Sequence, residues 1–82
     1  MTIISIIVRY KEMSVCYNKL WKLMIDRKMK KKDLIALSGI SRSTVEKLTH
    51  DENVNTDVLV RICKALECDV GDIMEVIPDE SN

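Results

Sequence analysis

Between Lys31 and Leu48 the chain reads KKDLIALSGISRSTVEKL, two short stretches divided by a single glycine, and few folds accept that pattern. The first stretch turns Leu34 inward and stops at Gly39, a residue free to take the left-handed conformation that ends many helices. In the second, Ser41 is placed to cap a helix over 42–50, its hydroxyl accepting from a backbone N–H of the next turn. Val45 and Leu48 share one side of that helix, and Ile40 plugs the corner between the two. Glycine occurs otherwise only at position 71, so the break at Gly39 is one of very few turn signals in the chain.

The remaining sequence surrounds this pair with more helix. The 82 residues suffice for one domain, and without phenylalanine its core must be aliphatic, supplemented by Trp21, Tyr10 and Tyr17. Tyr17, Leu20, Trp21, Leu23 and Met24 recur at helical spacing and predict a first helix over 16–28. Trp21 reads there as a core anchor, the methionines as core filler, and Arg27 and Lys28 as cations suited to the negative end of that helix. Asn55 is placed to cap a fourth helix over 56–66, with Val54 and Leu59 stapled across the cap and Leu59, Ile62, Cys63 and Leu66 inward. Asp69 predicts a short fifth helix over 70–75 that carries Ile73 and Met74 inward. Pro78 closes the ordered part, leaving 78–82 as a tail.

Residues 1–10 are β-branched and predict a strand or extended arm. The chain offers no obvious second strand, so pairing with another copy is one expectation. A natural start at Met13, making the first twelve residues of the segment 1–13 an upstream extension, is the other. Residues 14–77 are then the working domain. The apolar run Ile6-Ile7-Val8 is too short for a membrane span, and it lacks the basic flank and cleavage site of a secretory signal. Cys16, Cys63 and Cys68 are odd in number and show no CxxC spacing. Even with His50 they match no zinc pattern, and they read as reduced structural cysteines of a cytoplasmic protein that needs no cofactor. His50 itself reads as a charge suited to a helix C-terminus.

A net charge of zero conceals two opposed halves. From Arg9 to Lys47, eleven cations face four acids; from Leu48 onward, two cations face nine acids. The basic front suits a polyanion, and the acidic rear limits non-specific adhesion. Lys30, Lys31 and Lys32 crowd the positive end of the second helix, where each like charge is unfavourable by roughly 0.3–1 kcal/mol. A merely solvated cluster leaves that placement unexplained. Phosphates docked at the helix end would be attracted by the lysines and by the free N–H groups alike.

Two short helices joined by a glycine turn form the scaffold that presents the second helix to a DNA major groove. With Val45 and Leu48 inward, Arg42, Ser43, Glu46 and Lys47 face outward, and their donors suit guanine edges or adjacent phosphates. The GISRSTVEKL segment, preceded by KKDL and followed by a helix ending in ICKAL, resembles the Cro/C1-type (XRE) helix-turn-helix regulators over roughly 17–75. That resemblance implies an all-α, five-helix, lambda-repressor-like domain. It further implies base contacts from Arg42, Ser43 and Lys47, and phosphate contacts from Ser41, Lys31 and Thr44, the last also able to meet a thymine methyl. Two positions depart from the family pattern: Ile35 stands where a small residue is usual, and Lys30 where a Ser or Thr cap is common.

The expected function is a sequence-specific transcriptional regulator, a repressor or autoregulator, binding a palindromic operator of double-stranded DNA as a homodimer. The alternative is a protein-interaction module of the same fold, antitoxin-like or a modulator subunit, with little DNA binding of its own. No paired carboxylates, nucleophile–base pair or phosphate loop points to an enzyme, and nothing points to a small-molecule substrate.

Overall fold

The computed structural model describes residues 13–78, and the boundaries of its elements have local causes. Strand β1 (Met13–Cys16) leads into helix α1 (Asn18–Asp26), followed by α2 (Lys31–Ser38), α3 (Arg42–Thr49) and α4 (Thr56–Leu66). A single 3₁₀ turn, Val70–Asp72, and strand β2 (Glu75–Pro78) complete the order.

The caps sit where the sequence places them. Gly39 takes φ 75° and its N–H bonds to the Ile35 carbonyl at 2.9 Å, closing α2. An added Cβ there would meet only the Arg61 guanidinium at 3.7 Å, so the demand for glycine is conformational rather than steric. Ser41 Oγ accepts from the Thr44 N–H at 3.1 Å, and Asn55 Oδ1 accepts from the Val58 N–H at 3.2 Å. Lys30 provides no side-chain cap for α2, but the Asp33 carboxylate accepts the Lys30 N–H at 2.8 Å. The negative charge this brings to the first turn suits the helix dipole, so α2 is better capped than Lys30 alone suggests.

Three expectations need correction. The fold is not purely helical: β1 and β2 pair antiparallel, with Ser14 opposite Ile77 and Val15 opposite Val76. The partner of β1 lies at the far end of the chain, where Val76 and Ile77 favour extended backbone. The fifth helix shrinks to the 3₁₀ turn: Asp69 and Asp72 cap its start, but the chain passes into β2 before a further turn can form. Asp69 Oδ1 accepts from the Val70 N–H at 2.7 Å, and Asp72 Oδ2 accepts from the Asp69 N–H at 2.9 Å. Glu75, the expected last residue of that helix, already belongs to β2. The first helix is also shorter than 16–28, since Cys16 is held opposite Glu75 and the chain leaves α1 through Lys28 in the left-handed region, φ 57°. The expected arm over 1–10 and the tail after Pro78 lie outside the described residues.

The core gathers residues from α1 to the 3₁₀ turn: Leu20 and Met24 of α1, Leu34 of α2, Val45 and Leu48 of α3, Ile62 and Leu66 of α4, and Ile73 beyond. Tyr17, 1% exposed, joins them with its polar groups satisfied: its N–H meets the Asp51 carboxylate at 3.1 Å and its hydroxyl donates to the Glu52 carbonyl at 3.0 Å. Burial and the nearby Asp51 charge raise its pKa, which keeps the hydroxyl a donor. Through these two bonds Tyr17 ties the start of α1 to the segment leaving α3. Arg27 is likewise used elsewhere than expected, donating to the Leu66 carbonyl at the end of α4 rather than serving its own helix. Cys16 is buried, while Cys63 and Cys68 are half-buried with pKa values raised mainly by burial.

Candidate nucleic-acid interface

The direction of every α3 side chain follows from two residues. Val45 and Leu48 are 4% and 0% exposed, which pins that side of the helix to the core. At about 100° per residue, Arg42, Ser43, Glu46 and Lys47 then fall on the open side, and all four are exposed. Arg42 and Lys47 make no ion pair among the described residues. Glu46 instead lies 3.5 Å from His50 Nε2 one turn on. His50 is the C-cap, and the helix ends at Thr49, one residue short of the expected 42–50.

At the N-terminal end of α3 three hydroxyls cluster. Ser41 Oγ lies 3.0 Å from Ser43 Oγ and 2.9 Å from Thr44 Oγ1 while it caps the helix. Thr44 is half-buried as a residue, but its hydroxyl belongs to this exposed cluster. Ser41, Arg42 and Ser43 thus present hydroxyls and a free guanidinium at the positive end of a helix.

The lysine cluster lies at the N-terminus of α2, with Lys30, Lys31 and Lys32 all exposed and none paired with an acid among the described residues. Lys31 is not free to wander. Its Nζ donates to Thr49 Oγ1 at 2.9 Å and stands over the Trp21 ring, 4.9 Å from the centroid. The two predicted contact groups are therefore joined through α3: Arg42 and Ser43 at one end, and Thr49 with Lys31 at the other. Lys47 lies apart from Lys31, bordering a hollow lined also by Ser14 and Val15 of β1.

This arrangement, a glycine-turned helix pair with a cationic, outward-facing second helix, has a family counterpart. A model of the Cro/C1-type HTH DNA-binding domain matches residues 19–79. The chain belongs to that family. The Cro/C1-type match spans the Gly39 turn and the elements packed around it, α2 against α3 and α4. Ile35, the family departure, is accommodated half-buried against the core. Among solved structures, the chain is similar to the transcriptional regulator VanUg (form II), at 52% identity and a TM-score of 0.80, over 87% of this chain and 95% of that one. No curated protein matches it.

Two participants carry no mark in the sequence. Trp21, expected as a core anchor, is only half-buried and offers its ring to Lys31. The Thr49 hydroxyl donates to the Val45 carbonyl at 2.9 Å and so turns a lone pair to Lys31. Neither link has a sequence signal, because each joins separate helices. Among the described residues no helix is long and apolar enough to cross a membrane, and no group of three or more His, Cys, Asp or Glu could hold a metal.

Proposed function

We propose that the chain is a sequence-specific DNA-binding transcriptional regulator, a repressor or autoregulator of the cytoplasm rather than an enzyme, which places α3 in the major groove. Arg42, Ser43 and Lys47 read base edges, while Lys30, Lys31, Lys32, Ser41 and Thr44 hold phosphates. In this reading residues 14–77 are the DNA-binding domain, flanked by an arm or upstream extension (1–13) and a tail (78–82). The observation that carries it is the exposed cationic surface spanning the α2 N-terminus and α3, whose Lys30, Lys31, Lys32, Arg42 and Lys47 make no ion pair among the described residues. It belongs to a Cro/C1-type HTH DNA-binding domain, and a transcriptional regulator shares its fold at 52% identity.

One helix of eight residues makes few contacts, so tight binding calls for two copies on a palindromic operator, with half-sites about one helical turn apart. Val60 and Val70, 50% and 42% exposed on α4 and the following turn, supply an apolar surface for the second copy. The same surface serves the competing reading, a protein-interaction module, if a different protein covers it.

Salt dependence tests the phosphate contacts. The logarithm of the binding constant is expected to fall linearly with the logarithm of salt concentration, with slope about −0.9 per phosphate neutralised. Replacing Lys30, Lys31 and Lys32 with glutamine makes the slope shallower by about 0.9 for each phosphate that is no longer neutralised. An unchanged slope would remove the three lysines from the interface.

A further inference from the structure

Lys31 differs from its two neighbours in being held, and what holds it carries no charge. The Thr49 hydroxyl is locked by its own bond to the Val45 carbonyl at 2.9 Å, leaving a lone pair for the Lys31 ammonium, also at 2.9 Å. The indole of Trp21, the chain's single tryptophan, covers another side at 4.9 Å. Both partners attract a cation without neutralising it. A lysine with a purely structural task is better served by a carboxylate, which would cancel its charge; here the charge stays available beside Lys30 and Lys32. Thr49 uses one of the three ammonium N–H donors and the indole covers another side, which still leaves a donor for an incoming anion. A lysine side chain ordinarily loses much rotamer freedom when it meets a ligand, and one already fixed between two helices loses less.

We infer that Trp21 is a positioning residue for DNA binding: with Thr49, it holds Lys31 in the pose in which its ammonium meets a backbone phosphate at the N-terminus of α2. This rests on the reading of Lys31 as a phosphate contact and adds the device that makes the contact ready-formed. Trp21 acts here through Lys31. One face of its ring is taken by Lys31, and the half-buried side chain also packs against the core. Tryptophan is the aromatic residue with the strongest attraction for a cation, so a smaller ring does the task less well and an aliphatic side chain not at all.

A double-mutant cycle on DNA affinity separates positioning from packing. The probe is a duplex recovered from a random pool by the unaltered protein, titrated by fluorescence anisotropy, with thermal melts recorded in parallel. Lys31→Ala and Trp21→Leu are each expected to weaken binding by about two- to tenfold, with the double variant no weaker than the worse single one. Trp21→Phe is expected to fall between the unaltered protein and Trp21→Leu. It keeps an aromatic ring in the packing, so the cycle can be run on it if the leucine variant does not fold. Multiplying effects, with the double variant weakened by the product of the two single losses, overturn the positioning role and leave Lys31 as a phosphate contact. If Lys31→Ala changes neither affinity nor salt slope, the phosphate contact fails, and the role of Trp21 fails with it.

Discussion

Leu48→Ala is expected to lower the melting temperature by at least about 10 °C and to leave much of the domain unfolded at physiological temperature. Leu48 is 0% exposed in the middle of the core, and truncating such a leucine typically costs about 2–5 kcal/mol. A domain this small has only about 5 kcal/mol of stability to lose, or somewhat more. The cost therefore rivals the whole. A circular-dichroism melt checks this, and a loss below about 1 kcal/mol would show that the inner side of α3 does not pack as described. The effect on DNA binding should follow the folded fraction alone, because Leu48 presents nothing to solvent.

Arg42→Ala, six residues earlier on the same helix, has the opposite profile. Its side chain is exposed and makes no ion pair or side-chain hydrogen bond among the described residues, so the melting temperature is expected to stay within a few degrees. The loss falls on recognition. An arginine paired with a guanine edge contributes about 1–3 kcal/mol of discrimination per site, and a palindromic operator would incur it twice. The expected result is a drop in affinity of one to several orders of magnitude on the preferred duplex, with little change on a scrambled one. Equal weakening on both duplexes would mean that Arg42 meets only phosphate.

The two substitutions show which parts of this molecule can be read from its sequence. Caps are local devices, a left-handed backbone at Gly39 and a side chain reaching an N–H three residues on at Ser41 and Asn55, so all three are legible and sit as expected. The inward side of α3 is legible for a similar reason: Val45 and Leu48 are one turn apart, and once they are inside, the exposure of Arg42, Ser43 and Lys47 follows. What cannot be read joins distant parts of the chain. The pairing of Met13–Cys16 with Glu75–Pro78 spans almost the whole domain, and short β-branched segments do not announce their partners. The Arg27 bond to the Leu66 carbonyl crosses from α1 to α4, and local helix polarity offers a sufficient but different explanation for that cation.

The site divides in the same way. The awkward placement of Lys30, Lys31 and Lys32 is visible from charge and helix polarity alone. That Lys31 is pinned, while its neighbours are not paired with acids, depends on α1 and α3 approaching α2 from different sides. Asp33 shows how a cap can be misjudged from one position: Lys30 is a poor cap, yet the acid three residues later reaches back to its N–H. Thr44 adds a further lesson. It falls beside the outward row, but its hydroxyl turns to Ser41, 2.9 Å away.

The central claim is that α3 lies in a major groove, and the most direct test is chemical protection of guanine N7, an atom exposed only there. On a duplex selected by the protein, methylation by dimethyl sulfate is expected to be suppressed at guanines in two clusters about one helical turn apart. Substituting Arg42 with alanine is expected to restore reactivity at one guanine in each cluster. Unprotected guanine N7 throughout a saturated complex, with adenine N3 in the minor groove protected instead, would contradict the placement of α3 altogether.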